Sequence, residues 1–158
     1  MVEFIAKQRF SVIGKLGEGR SAESSKWIPP LWQEANSRFS EISGLAKIDA
    51  DGNYVGIWGA MSDVGGNFER WREEGSYLAG CEVADDALPP AGWTKWTIPA
   101  FKYAVSKCTQ ESYQAALATM LSNFLPDHNL QVVGAIQELY RPNDRGGELY
   151  LYIPIEKI

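Results

Sequence analysis

The chain has 158 residues, about the length of one domain, and its 45% hydrophobic and 22% charged residues exclude a wholly disordered, collagen-like or coiled-coil chain. It contains neither a run of about 18 apolar residues nor a basic and then apolar secretory signal, so we expect a cytoplasmic protein without a membrane span. The 15 basic and 20 acidic residues give a formal net charge of −5, which argues against direct nucleic-acid binding.

The first half of the chain is predicted to hold one helix among three strands. Pro29 and Pro30 suit the first turn of a helix, because proline is favoured at the first helical position, and Gly44 suits its C-terminal cap. The rings of Trp27 and Trp32, beside this helix, belong either to the core or to a cleft. The apolar side of the helix carries Leu31, Ala35, Phe39 and Ile42. The strands are predicted over residues 9–16, 54–61 and 77–83.

The second half repeats this order of elements. Apolar residues recur with a helical period over residues 111–125, starting with Tyr113, and Pro126 ends the predicted helix. Turn-forming residues over 142–147 separate the last two strands. The strands of this half are predicted over residues 98–107, 132–141 and 148–155.

Both halves therefore have the order strand, helix, strand, strand, which indicates a duplicated α+β fold. The halves cover residues 1–86 and 91–158, and residues 87–90 link them. A half of this size with one helix would be marginally stable alone, since small domains bury little of their surface. We therefore expect a single domain over residues 1–158 in which the two halves pair.

Candidate metal ligands and reactive groups are scarce. The only cysteines are Cys81 and Cys108, and the only histidine is His128. Two isolated thiols and one histidine supply neither a disulfide framework nor a His/Cys zinc set. We expect no metal site and no cofactor.

Aromatic residues make up 12% of the chain, and the strand pattern predicts where some of them lie. Successive side chains of a strand alternate between its two faces. The odd positions of 149–155 are aliphatic and should pack on a helix, which leaves Tyr150 and Tyr152 on the opposite face. If the last two strands form a hairpin, Glu138 and Tyr140 are expected to share a surface with these two tyrosines.

Trp58 of the first half would add a ring to this surface, which becomes an aromatic wall around one carboxylate, Glu138. A carboxylate among rings loses hydration, so its charged form is disfavoured unless a cation arrives. A lipophilic cation meets both needs, because the rings attract its charge and bury its apolar body. The alternative is that Glu138 is an exposed residue of an edge strand beside ordinary tyrosines.

Three segments carry a resemblance to a known family. Ile-Pro-Ala-Phe-Lys-Tyr-Ala-Val (98–105), Gly-Ala-Ile-Gln-Glu-Leu-Tyr (134–140) and Gly-Glu-Leu-Tyr-Leu-Tyr-Ile-Pro-Ile (147–155) resemble the GyrI-like superfamily. This group includes the effector-binding domains of AraC-type and MerR-type multidrug regulators, and free-standing proteins. The resemblance covers essentially the whole chain. It implies two SHS2-like halves in a curved antiparallel sheet, with two helices on one side and a central ligand cleft.

The resemblance also implies site residues. The buried glutamate that the family carries on its next-to-last strand matches Glu138. The tyrosine of the last strand matches Tyr152, with Tyr150 beside it, and the tyrosine of the strand that opens the second half matches Tyr103. Trp58 is the candidate ring of the first half. The rim or lid rings are expected to be Trp71 and Trp96.

The strand pattern suggests a first function, and the resemblance implies two alternatives. The leading hypothesis is a stand-alone binding protein, a sensor or sink for lipophilic and cationic compounds, because we expect no counterpart of the helix-turn-helix domain of the regulators. One alternative is a hydrolase that opens strained cyclopropane rings, with Glu138, Tyr103 and Tyr152 as its catalytic residues. The other is a gyrase-inhibitor-like interaction module, whose partner would be gyrase or a regulator.

Overall fold

Eight β-strands form one antiparallel sheet in the computed structural model, which describes residues 2–141 and 147–158. The strands lie side by side in the order β1-β6-β8-β7-β3-β4-β2-β5. In chain order they are β1 (Val2–Lys7), β2 (Phe10–Arg20), β3 (Ile57–Ser62), β4 (Glu74–Val83), β5 (Thr94–Ile98), β6 (Phe101–Thr109), β7 (Gln137–Tyr140) and β8 (Glu148–Lys157).

Two helical segments connect these strands. Helix α1 (Ser24–Ser37) follows β2, and two short 3-10 turns extend beyond it. Helix α2 (Tyr113–Thr119) follows β6 and runs directly into a π-helical stretch (Met120–Phe124) and a final turn, α3 (Leu125–Asp127). Across the described ranges, no helix is long and apolar enough to cross a membrane.

The strand order reads the same when the two halves are exchanged. Each half contains two strands, a helix and two strands, so that β1 to β4 correspond to β5 to β8. If every strand is replaced by its counterpart, the same list of strands results, read from the opposite edge of the sheet. The halves join at the centre through β3 and β7, and each gives its first strand to the other half, as β1 pairs with β6 and β5 with β2.

The two faces of the sheet bury different sets of side chains. On the helix face, one cluster around Ile13 and Ala79 lies under α1, and two others around Ile153 and Leu151 lie under α2. On the opposite face, called here the inner face, residues from the strands pack on one another, and the sheet curves around them. The buried members of this cluster are Phe10, Val12, Trp58, Ala60, Leu78, Ile98, Phe101, Tyr103, Val105, Leu139 and Tyr152.

The structure confirms the predicted α+β fold, with a curved antiparallel sheet and two helices. The prediction for the first helix is wrong at both ends, because α1 begins at Ser24, contains Pro29 and Pro30, and ends at Ser37 rather than near Gly44. A proline has no backbone N–H, so the carbonyl four residues earlier in the helix lacks its hydrogen-bond donor. Here those carbonyls belong to residues 25 and 26, both exposed, so water can satisfy them. Residues 142–146 of the predicted loop lie outside the described residues.

Candidate functional site

A cavity of about 1080 Å³ lies between α1 and α2, over the centre of the sheet where β3 meets β7. Both halves of the chain contribute to its wall, since residues of α1, β3 and β4 face residues of α2 and β7 across it. Glu138 is among the lining residues. The rings that line the cavity include Trp32, Tyr54, Trp71, Tyr77, Tyr113 and Tyr140.

The register of the central strands fixes the position of Glu138. It pairs with Leu151 of β8 on one side and with Gly59 of β3 on the other. Paired residues of antiparallel strands share a face, and Leu151 belongs to the cluster under α2, so Glu138 points to the helix face. Glu138 is only 6% exposed, which excludes the alternative of an exposed glutamate on an edge strand.

Three tyrosine hydroxyls donate hydrogen bonds to the Glu138 carboxylate. Oε1 accepts from Tyr77 at 2.6 Å and from Tyr140 at 2.9 Å. Oε2 accepts from Tyr113, the first residue of α2. The indole Nε1 of Trp32, on α1, donates in turn to the Tyr77 hydroxyl at 3.0 Å. Side chains from both helices, from β4 and from β7 are therefore tied to one carboxylate.

Burial dominates the electrostatics of this carboxylate. Loss of hydration raises the pKa of Glu138 above its ordinary value, and the three phenol hydrogen bonds only partly oppose this effect. Burial and the nearby carboxylate also raise the pKa values of Tyr77, Tyr113 and Tyr140, so all three stay protonated donors at neutral pH. Within residues 2–141 and 147–158, no basic side chain forms an ion pair with Glu138.

The structure brings only part of the predicted site together. Glu138, Tyr140 and Trp71 line the cavity. The other five predicted residues lie on or against the inner-face cluster, with the sheet between them and Glu138. These residues are Tyr103, Tyr150, Tyr152, Trp58 and Trp96.

The predicted surface shared by Glu138, Tyr150 and Tyr152 is therefore wrong, and the strand register explains why. Tyr152 pairs with Gln137 and Tyr150 with Leu139, so both tyrosines point away from Glu138. A register one residue different would have reversed every side chain of β8. The aliphatic positions of β8 do pack under α2, as predicted.

The strand register also places Trp58, on β3, on the face opposite to Glu138. It pairs with Leu139 and is buried on the inner face, where its Nε1 donates to a second buried carboxylate, Glu82, at 3.0 Å. Glu82 also forms ion pairs with Lys7 at 3.3 Å and Lys47 at 3.5 Å. This carboxylate, in contrast to Glu138, has its cations within the protein.

The same placement separates the residues proposed for ring-opening hydrolysis. Tyr103 and Tyr152 lie 5.3 Å apart between ring centroids, on the inner face, whereas Glu138 lies on the helix face. These three side chains do not form one site. The tyrosines that reach Glu138 are instead Tyr77, Tyr113 and Tyr140.

Two of these contacts, Tyr77 and Tyr113, have no place in the sequence-based site. Tyr113 marks the start of an apolar helical face, which is equally typical of a core residue. One face of β4 carries Tyr77, Ala79 and Cys81. This pattern indicates that the face is buried, but it gives no sign of a neighbouring charge. Only the pairing of β3 with both β4 and β7 brings Tyr77 and Glu138 together.

Comparisons with known proteins agree with the fold. A family model described as Cass2, integron-associated effector binding protein, matches residues 3–155. The transcriptional regulator BrlR of Pseudomonas aeruginosa is 28% identical over 159 residues, which cover 96% of this chain and 54% of BrlR. The chain thus spans about half the length of this relative.

Solved structures show the same fold. SAV2435, solved bound to tetraphenylphosphonium, matches with a TM-score of 0.73 at 14% identity, over 99% of this chain and 94% of that one. An integron cassette protein from the mobile metagenome of Vibrio cholerae matches with a TM-score of 0.63 at 14% identity, over 98% and 95% of the two chains. With the family match over nearly its whole length, the chain belongs to the Cass2 family of integron-associated effector-binding proteins, which have the GyrI-like fold.

Proposed function

We propose that the protein binds lipophilic cations in the cavity between α1 and α2, as a sensor or a sink for such compounds. The observation that carries this proposal is the Glu138 carboxylate, which is buried and bound to three phenols. The described residues supply it with no cation. A bound ligand would provide the missing positive charge.

The free energies favour this class of ligand. A buried carboxylate that is charged but unpaired costs several kcal/mol of solvation free energy, and a ligand cation offsets part of that cost. Aromatic rings attract a cation with roughly 0.5–2 kcal/mol each, and the lining offers indole and phenol rings. An apolar body adds about 25 cal/mol per Å² of surface removed from water. A neutral ligand of the same shape would gain only the last contribution.

The tetraphenylphosphonium bound to SAV2435 suggests a suitable probe. Tetraphenylphosphonium and tetraphenylborate have the same shape and opposite charges, and triphenylphosphine oxide is a neutral relative. Calorimetric titration should show binding of the cation and much weaker binding of the anion. Glu138→Gln, which keeps the shape but removes the charge, should weaken cation binding by at least about tenfold, or 1.4 kcal/mol, and leave the neutral compound little changed.

A matched control is Glu82→Gln, which removes a buried carboxylate of the inner face. We expect this variant to lose stability, because Lys7 and Lys47 lose their partner, and to bind the cation with the wild-type dissociation constant. The proposal fails if Glu138→Gln weakens the cation and the neutral compound equally. It also fails if Glu82→Gln is as damaging to cation binding as Glu138→Gln.

A further inference from the structure

The cavity is longer than a compact cation requires. Its lining includes Ser24 and Asn36 of α1, which lie about 18 Å apart at 1.5 Å per residue. Its volume of about 1080 Å³ slightly exceeds the roughly 300–1,000 Å³ usual for drug-sized ligands. Trp32 contacts Tyr77 and Tyr140 from the middle of α1, so the Glu138 cluster occupies only the central part of this length.

Trp71 forms a second aromatic wall towards the N-terminal end of α1. Its ring lies over Gly75, where an added Cβ would come within 2.2 Å of it. Its Nε1 donates to the carbonyl of Ser76 at 3.1 Å, and its ring stacks on Trp27 with centroids 5.6 Å apart. The indole is thus held on three sides and is already in place before any ligand arrives.

The Trp71 end is separated from the carboxylate by a substantial distance. Gly75, beneath Trp71, precedes Ala79 by four residues of β4, or about 13 Å of strand. Ala79 pairs with Gly59, which in turn pairs with Glu138. A compact cation centred at Glu138 therefore leaves room beside Trp71.

The charge near Trp71 differs from that near Glu138. The basic lining residues among those described are Arg70, next to Trp71 in the chain, and Arg141, next to Tyr140, and the acidic ones are Glu138 and Glu148. Glu148 pairs with Thr109 at the start of β8, beyond Tyr140, and forms an ion pair with Lys107 at 2.9 Å. At the Trp71 end, a second positive charge would meet Arg70 and neither of the two lining carboxylates.

We propose that the cavity has a second aromatic subsite at Trp71, away from the Glu138 carboxylate, so that the preferred ligand is an elongated monocation with a separate flat apolar group. This proposal rests on the proposed function, because it takes Glu138 to hold the cationic end. The ring beside Trp71 would gain roughly 0.5–1.5 kcal/mol from stacking, beyond the area it buries. A dication of equal length would place its second charge beside Arg70, away from the Glu138 carboxylate, and would not make this gain.

The test uses triphenylphosphonium probes that carry a naphthyl group on a short, medium or long alkyl linker. Tetraphenylphosphonium serves as the compact reference, and a bis-phosphonium of matched length as the dication. Calorimetry should show a linker length at which the naphthyl probe binds about tenfold more tightly than the reference, and the dication should show no such gain. Trp71→Leu should abolish most of the gain and weaken the reference much less, and Trp71→Phe should restore part of it.

Trp96→Leu, on the inner face, is the matched control and should leave both affinities unchanged. Glu138→Gln should weaken the naphthyl probe and the reference by the same factor, because both place their cation at that residue. The subsite proposal is overturned if no linker length improves on the reference, or if the gain survives in Trp71→Leu, while the reference still responds to Glu138→Gln. If the reference does not bind to the wild-type protein, the proposed function fails, and the subsite proposal fails with it.

Discussion

The Tyr77 hydroxyl lies directly over Gly59: a Cβ atom on residue 59 would come within 1.9 Å of Tyr77 Oη. The same Cβ would lie 2.6 Å from Oε1 of Glu138, the strand partner of Gly59. The shortest path between the phenol of β4 and the carboxylate of β7 therefore runs over a strand residue that has no side chain. Gly59 makes the 2.6 Å hydrogen bond between Tyr77 and Glu138 sterically feasible.

Gly59→Ala should therefore break this hydrogen bond. The new methyl group displaces the Tyr77 ring, and the buried carboxylate loses one donor at a cost of about 1–3 kcal/mol. We expect a lower free energy of unfolding in urea and weaker binding of tetraphenylphosphonium. Gly44→Ala is the control, since nothing lies within 4 Å of a Cβ there. Unchanged stability and binding in Gly59→Ala would contradict this role for Gly59.

Cation binding should depend on pH through Glu138. Burial raises its pKa, so the carboxyl group is protonated and neutral over a wider acidic range than an exposed glutamate. The affinity for tetraphenylphosphonium should rise with pH through this raised pKa and become constant above it. Titrations at a series of pH values should show this rise for the wild type and a flat profile for Glu138→Gln. A flat wild-type profile would show that the charge of Glu138 does not contribute to binding.

Glu138→Gln should stabilise the ligand-free protein at neutral pH. Because the pKa of Glu138 is higher in the folded than in the unfolded chain, its ionisation reduces stability as the pH rises from about 4.3, the unfolded value, through the folded pKa. Glutamine avoids this cost, and we expect a gain of about 0.5–2 kcal/mol. Urea unfolding should show the gain at neutral pH and little of it in acid. A loss of stability at neutral pH would mean that the hydrogen bonds outweigh burial.

Two tyrosine substitutions test which face of the sheet binds the cation. Tyr113→Phe removes a donor to the charged carboxylate, and such a bond contributes about 1.5–3 kcal/mol. The pKa of Glu138 should rise further, so the midpoint of the pH profile should move to higher pH. Tyr150→Phe changes a ring on the inner face and should leave the profile unchanged. Equal effects of the two substitutions would contradict the assignment of the site to the helix face.

The sequence predicts a strand, a helix and two further strands in each half because each of these elements has its own local signal, but it misses the first strand of each half, β1 and β5. The helical period over residues 111–125 and the alternation in 148–155 both come from side chains that must be buried on one side. The edge strands β1 and β5 lack such a signal. Each is short, five or six residues, and each pairs with the other half of the chain, so nothing local indicates its partner.

The composition of the site could not be predicted to the same extent, because it depends on register. Alternation shows that Glu138 and Tyr140 share a face, and that Tyr150 and Tyr152 share a face, but it does not say whether the two faces are the same. The pairing of Glu138 with Leu151 decides this. Gln137 reinforces it, since its side-chain amide bonds both the N–H and the C=O of Met61 and occupies the position of a further strand residue.

The exchange symmetry of the strand order does not extend to the chemistry of the site. At the junction of the halves, the second half supplies the negative charge of Glu138, and the first half supplies Gly59, whose lack of a side chain leaves room for the Tyr77 hydroxyl. The cavity is therefore comparable to the interface of a heterodimer whose two subunits are joined in one chain. A substitution in the second half can change the charge of the cavity, and one in the first half can change its volume. In a symmetric homodimer, by contrast, every substitution would occur on both sides of the interface.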